Sequence, residues 1–506
     1  MLGHCTVQRM LCGLAALVLA AAVVSTANPA TATPDTANAD DGRAGVEFER
    51  PIYVTSRGIA FDLSTGPHVV SRYAIDATGQ LVPRGEPVPT VNGARGIVFT
   101  PDARLAYVVG AADRAVSVYR VGAGGELIPF GEPVPTQGVG SFGIAISPNG
   151  RHLYVANLAS HNISVFSIGP SGRPVLLGDP VPTGVTNTRN VAVSRDGRFL
   201  FVSHGVPPDM NFDVVKTLPI NADGSLGAPT FTAPIGITGT GLLLSPDGRF
   251  LYVACSATHD VYGFRIGPNG ELHPVPNSPF MANNTPEGMA FAPDGRTLFV
   301  SDVATEPTLV LDEAGLWTFS VNDDGSLTPA RPRLDASGSG GGAAITPDGR
   351  HLLVTGFFDN DVAAYESATL RQLPGSPRPS MGLAPSLNSV AMLPNLGPRA
   401  SLTARSRGNV ATFDATASSD PDGRVARYDW EFGDGTTLAN GGPRPSHAYR
   451  QPGSFQVTVV VTDNEGCSAS LFYTGYNLVC VGSAIAQAAT LVRIGTPAAV
   501  GAPAPS

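Results

Sequence analysis

Lysine is almost missing from this chain: Lys216 is the single one, and arginine supplies the remaining positive charge. Charged residues make up only 14% of the 506 residues, and the net charge is −9. No basic face is therefore offered to nucleic acid. The longest apolar run, LCGLAALVLAAAVV at 11–24, falls short of the roughly 20 residues that span a bilayer. There is no G-x-S-x-G elbow, no P-loop and no C-x-x-C pair, and the scattered histidines are not spaced as metal ligands. Those absences exclude a membrane-spanning helix and several common catalytic frameworks. They imply neither a cofactor nor a metal.

Turn-forming residues are plentiful, with 59 glycines and 45 prolines. That mixture suits an all-β chain with many turns. The N-terminus carries Arg9, then the short apolar run, then Ala-Thr-Ala at 30–32. Residues 1–32 therefore read as a secretory signal peptide and 33–49 as a flexible linker. A secreted, extracellular protein follows, with a place at the cell wall left open. In that oxidising setting Cys467 and Cys480 are expected to form a disulfide, and Cys255 to pack as a small buried hydrophobe.

One phrase keeps returning. SPDGRFLYVA begins at Ser245, and variants begin at Thr100, Ser147, Ser194, Ala292 and Thr346. Aligned on the turn residue at 102, 149, 196, 247, 294 and 348, the copies recur at intervals of 47, 47, 51, 47 and 54 residues. Each copy sits between a short apolar strand, such as GIVF, and an alternating strand, such as VSVYRV. A Gly turn and a short Pro-rich strand then follow. Period-2 alternation with turns at fixed offsets describes a four-stranded antiparallel meander. One such sheet cannot bury both faces, whereas radial stacking can. Residues 50–395 are thus predicted to form a seven-bladed β-propeller. Its last strand, NSVAML at 388–393, is expected to complete the blade that holds residues 51–75.

Spacing separates the two faces of the disc. The turn residue lies 14 residues before the third strand in four repeats, but 18 and 22 in two others. The insertions fall at 204–213 and 302–315, between second and third strands. The Asp-Gly turns share the opposite, uniform face. Function usually belongs to irregular loops on a rigid scaffold.

The residues before each first strand should crowd the channel on the irregular side. They are Arg95, Phe142, Arg189 with Asn190, Thr240, Glu287, and Leu387 with Asn388. Loops add Asn157, His161, His204, His259, Asp302 and Asp359. Arginines could hold a carboxylate or phosphate, and Glu287 or a histidine could act as general base. The same polar residues could instead satisfy strand ends and water.

After Pro394 the turn phrases change. Residues 398–485 predict a small β-sandwich with Trp430 and Phe432 in its core. Asp420, Asp422 and Asp434 sit in Asp-Gly turns, where turn formation and calcium ligation are both open to them. Residues 486–506, ending TPAAVGAPAPS, read as a disordered tail.

The LYVAN phrase at 153–157, with the SPDGR turns and later G-x-L turns, resembles the lactonase-type, or YVTN-repeat, seven-bladed propellers. That resemblance implies lactone chemistry of the 6-phosphogluconolactonase kind. Active members carry Pro-Arg-His before a first strand. Here ARGIVF, TRNVAV and PEGMAF keep Arg95, Arg189 and Glu287 but not the histidine. YDWEFGDGT at 428–436, followed by HAY and PGSFQVTVVVTD, resembles a PKD domain, an extracellular β-sandwich module. It implies contact with a protein or polysaccharide. Two readings follow: a secreted protein that binds an extracellular ligand through its irregular propeller face, or a sugar-lactone hydrolase working in the channel.

Overall fold

The computed structural model describes residues 49–58, 66–205, 212–282, 285–303, 315–335, 340–385 and 388–495. The expected signal peptide, nearly all of the linker, Leu387 and most of both insertions lie outside those residues. The propeller and the sandwich belong to one compact unit, Glu47–Ser506. None of its described helices is long and apolar enough to cross a membrane.

Seven antiparallel sheets make the ring. Blade 2 shows the pattern, with strands Ala94–Phe99, Leu105–Gly110, Ala115–Val121 and Leu127–Pro129. Blades 3 to 7 begin with first strands Ser141–Ile146, Thr188–Val193, Gly239–Leu244, Thr285–Phe291 and Gly340–Ile345. Blade 1 is composite. Its strand Ile52–Ser56 pairs with Val390–Met392 from the far end of the ring, Ile52 opposite Met392 and Val54 opposite Val390. That pairing leaves the ring with no open seam.

The tyrosine of the repeated LYVA phrase has a clear task. Four tyrosines on second strands each donate a hydroxyl hydrogen bond to a glycine carbonyl in the next blade. The pairs are Tyr53 to Gly125, Tyr107 to Gly172, Tyr154 to Gly224 and Tyr252 to Gly325, at 2.7, 2.7, 3.0 and 2.7 Å. Each ring is buried, so the phrase supplies apolar packing and one satisfied polar group together.

The sandwich packs Thr403–Arg407, Val410–Asp414 and Ser446–Ala448 against a four-stranded sheet centred on Val425–Glu431 and Gly453–Asp463. Phe413, Trp430, Phe432 and Tyr449 fill its core beside Val457, Val459 and Val461. The expected boundary at 485 is too early. Gln487–Ile494 is an eight-residue strand paired along Gly453–Val460, and it buries Val492 and Ile494. Its alternation is hidden by the alanines at 488 and 489, which is why composition alone read it as tail.

A more consequential departure lies between those two strands. Residues 467–480 form a loop closed by the Cys467–Cys480 disulfide and carry the hairpin Phe472–Tyr473 and Leu478–Cys480. This hairpin enters the propeller channel from the uniform face. The Tyr473 hydroxyl lies 2.8 Å from the Ile146 carbonyl, at the end of the blade 3 first strand. The Val193 and Leu244 amides of blades 4 and 5 donate to the Gly475 and Thr474 carbonyls at 2.8 and 2.9 Å. Phe472, Tyr473, Tyr476 and Leu478 are buried. First strands present free backbone groups to the channel, and the hairpin pairs with some of them.

Arg50 fastens the junction. Its Nη1 donates to the Leu393 and Pro394 carbonyls at 3.1 and 3.0 Å. Its Nε donates to Glu465 at 2.7 Å and its Nη2 to Asp422 at 3.0 Å. One buried guanidinium thus ties the start of the propeller, the closing strand and two sandwich turns. Breaking a buried pair from one side leaves carboxylates without a partner. Arg50→Ala is expected to destabilise the chain by about 3–5 kcal/mol in equilibrium denaturation. A loss under about 1 kcal/mol would match an exposed pair instead.

Candidate functional site

Every first strand from blade 2 to blade 7 contains a register break against its neighbour. The breaks lie between Ala94 and Ile97, Ser141 and Ile144, Thr188 and Val191, Gly239 and Gly241, Pro286 and Gly288, and Gly340 and Ala343. Arg95, Phe142, Arg189, Thr240 and Glu287 all fall inside them. A bulge turns a side chain out of strict alternation and is common beside functional sites. The glycine that follows lets neighbouring blades close in: a Cβ on Gly241 would stand 2.5 Å from the Glu287 carbonyl oxygen.

At this ring of bulges, charges gather. Glu287 lies within electrostatic reach of Arg95, Arg57 and Arg189. Arg95 in turn feels Arg57, Glu287 and Arg189. Glu287 keeps some solvent contact but is crowded by protein, and this desolvation pushes its carboxyl up to about 7 against the pull of the three arginines. Burial, then the neighbouring Arg57, brings the Arg95 guanidinium down to about 9. The Arg95 guanidinium stacks on Phe142, 4.2 Å from the ring centroid. Among the described residues, Nε of Arg95 and Nε of Arg189 are buried with no protein acceptor. Asp213 also acts on Arg189, so the cluster sets three positive groups against two acids and keeps a net positive bias that favours an anion.

Next to the charged residues, two asparagines link the blades. Asn388 Nδ2 donates to Asn190 Oδ1 at 3.2 Å, joining blade 1 to blade 4, and Asn190 Nδ2 donates to the Thr240 carbonyl at 3.0 Å. Two residues further along the same strand lies Ala192, beside which the plug tip packs: a Cβ on Gly475 would stand 2.7 Å from the Ala192 Cβ. The cluster therefore has a floor, and it is reached from the irregular face.

The other sequence candidates are placed elsewhere. Asn157, His204 and Asp302 are buried and share one register position, the end of a second strand or the residue before it. Asn157 bonds to Ser141, Asn162 and Ser164. Asp302 accepts from Arg333, the Gly315 amide and Trp317, so all of its reach is spent inside blade 6. His204 is pushed down to about 3 by burial and by Lys216, which keeps its imidazole neutral. His161 accepts the Asn187 amide at 2.9 Å and braces a crossover loop. His259 stands exposed in a turn at φ 61°, and Asp359 is exposed in the loop before Asp361. The bulge cluster does not include these residues. Among the turn aspartates, Asp422 pairs with Arg50, and Asp434 accepts from Thr436 and His447. No group of three or more His, Cys, Asp or Glu among the described residues is arranged to hold a metal.

Arg57 was missed by sequence reasoning. It follows the second strand of blade 1, where aligned positions are Ala111, Leu158, Gly205, Ser256, Val303 and Phe357. A lone arginine in a column of small and apolar residues was the available signal.

Comparison with known proteins agrees with this architecture. Residues 59–206 match the family described as Lactonase, 7-bladed beta-propeller, and residues 395–474 match the PKD domain. The chain joins a lactonase-type propeller to a PKD domain. The periplasmic gluconolactonase of Pseudomonas aeruginosa superposes with a TM-score of 0.54 at 21% identity, covering 68% of this chain and 99% of that one. A Bacteroides fragilis protein described as a 6-phosphogluconolactonase candidate gives 0.57 at 19% identity, covering 69% and 99%. At these identities the likeness is one of fold. A microbial collagenase of Vibrio alginolyticus is 37% identical over 86 residues, 16% of this chain and 10% of that protein. Collagenase ColA of Clostridium perfringens is 41% identical over 54 residues, 11% of this chain and 5% of that protein. The chain thus spans only a small fraction of these curated relatives.

The raised carboxyl of Glu287 has a measurable sign. Between the usual carboxylate range and about pH 7, folded Glu287 holds a proton that the unfolded chain has released. Stability from this group therefore falls as pH rises across that window. Melting temperature followed from pH 5 to 8 should show this fall added to that of Asp302, Asp361 and Asp420, which burial also raises, and Glu287→Gln should make the slope shallower. An equal slope in both proteins would mean that Glu287 is ionised throughout.

Proposed function

We propose that this protein is an extracellular binding protein whose channel mouth captures a small organic anion, with the PKD domain fixed to the propeller and presenting its outer sheets to a polymer or protein surface. The observation that carries the reading is the cluster of Arg57, Arg95 and Arg189 around Glu287, with buried Arg95 and Arg189 donors that have no protein acceptor. A carboxylate meets that demand by accepting from several guanidinium groups together. The collagenase matches support an extracellular setting, and the disulfide agrees with an oxidising one.

A second reading rests on Glu287 itself. A carboxyl near 7 is matched to proton transfer at neutral pH, so it could activate water against a lactone carbonyl held by the arginines. The two readings depend on pH in opposite ways. Anion binding weakens as Glu287 ionises and cancels part of the positive charge. Base-assisted hydrolysis strengthens over the same range. Calorimetric titration with small carboxylates should give binding that weakens as pH rises through about 7. Arg189→Ala should weaken it by about tenfold or more, the scale of one charge-assisted contact. Glu287→Gln should preserve binding and remove its pH dependence. Lactone turnover that rises through pH 7 and disappears in Glu287→Gln would establish the hydrolase instead. Binding untouched by Arg189→Ala would remove the channel mouth from either role.

A further inference from the structure

Beside the arginine cluster the propeller exposes an apolar shelf. The Arg57 guanidinium lies 5.1 Å from the centroid of the Phe357 ring. Phe357 meets Phe358 edge-on, with centroids 4.9 Å apart and planes at 90°. Phe358 is 37% exposed and Met381 49% exposed. The two belong to loops that are fastened together: the Ser380 amide donates to the Asn360 carbonyl at 2.8 Å, and the Ala384 amide to Asn360 Oδ1 at 2.6 Å. The Met381 loop also packs on the residue before Arg57, because a Cβ on Gly382 would stand 2.3 Å from the Ser56 Cβ. The described acids of this sector, Asp359 and Asp361, lie on the Phe358 loop and the strand that follows it.

The amide and hydroxyl groups that adjoin the cluster on the Asn388–Asn190–Thr240 side are, by contrast, already spent. Asn388 donates to Asn190, Asn190 donates to the Thr240 carbonyl, and the Thr240 hydroxyl lies 3.4 Å from the Ala254 carbonyl. A polyhydroxylated ligand needs partners for each hydroxyl that it desolvates. This mouth offers guanidinium groups, the Glu287 carboxyl, the exposed Asp359 and aromatic or thioether surface. Small-molecule sites of that composition take an apolar body oriented by a few charged contacts.

Resting on the anion-binding reading above, we infer that the ligand is a carboxylic acid bearing an aliphatic or aromatic group, rather than a sugar acid. The carboxylate sits at Arg57, Arg95 and Arg189, and the apolar group lies over Phe357, Phe358 and Met381.

Titration of the full chain with acetate, gluconate, hexanoate and phenylacetate tests this at constant pH and salt. Hexanoate and phenylacetate should bind about tenfold or more tighter than gluconate or acetate, the scale expected for burying a small apolar group. Phe358→Ser combined with Met381→Ser should reduce both apolar acids to the affinity of acetate, while leaving acetate and gluconate unchanged. Both changes are at exposed positions, and an unaltered melting curve confirms that the fold persists. Gluconate binding as tightly as the apolar acids, with Arg189→Ala weakening all four, would overturn the apolar preference while leaving the anion site standing. An apolar preference unmoved by the double variant would place the apolar group elsewhere and also overturn it. No binding of any acid would remove both proposals.

Discussion

Everything in this molecule depends on one short antiparallel pairing, Val390–Met392 against Ile52–Val54. Seven sheets stacked around an axis bury each other's faces only when the ring is closed. The link consists of three residues from each end of the propeller, so its strength comes from what surrounds it. Arg50 supplies much of that, because its guanidinium grips the carbonyls just after the closing strand and two sandwich carboxylates. The sandwich hairpin then fills the channel beneath and pairs with first-strand amides. Closure, clamp and plug act on the same few residues, so the sandwich is part of the propeller's architecture.

The ring also explains where chemistry can occur. Strict alternation would point first-strand side chains into the layers between blades, where only apolar residues fit. The register break in each of six blades releases a residue from that rule. Arginine at two of those positions, glutamate at a third and Arg57 from the adjoining loop create a partly desolvated, positively biased mouth. The same desolvation raises Glu287 and lowers Arg95. Burial opposes charge on both, and the surplus of arginine keeps the site anion-seeking.

Much of this was legible in the sequence because the repeat is regular. Tyr-containing second strands, Asp-Gly turns and fixed spacing specify sheet, turn and ring order, and they also point to Arg95, Arg189 and Glu287. What was illegible had no periodic signature. Arg57 departs from a column of small and apolar residues, and that single exception was its one mark in the sequence. Asn157, His204 and Asp302 share a repeat position, but whether such a residue faces a ligand or a neighbouring strand is decided by packing. The uniform face, whose turns are alike, carries no sequence signal of what covers it. It is occupied by Tyr473 and Tyr476, carried on a disulfide loop whose hydrogen-bond partners inside the channel, Ile146, Val193 and Leu244, lie more than two hundred residues away in sequence. Nothing local to YTGYN announces a channel plug.

The account stands or falls on where an anion settles. A crystal structure of the chain soaked with phenylacetate at pH 6 is the most direct measurement. The account predicts carboxylate density between Arg95 and Arg189 on the irregular side of the Asn190–Asn388 bridge. Density anywhere else, or a mouth in which Arg95 and Arg189 turn away from each other, would contradict it.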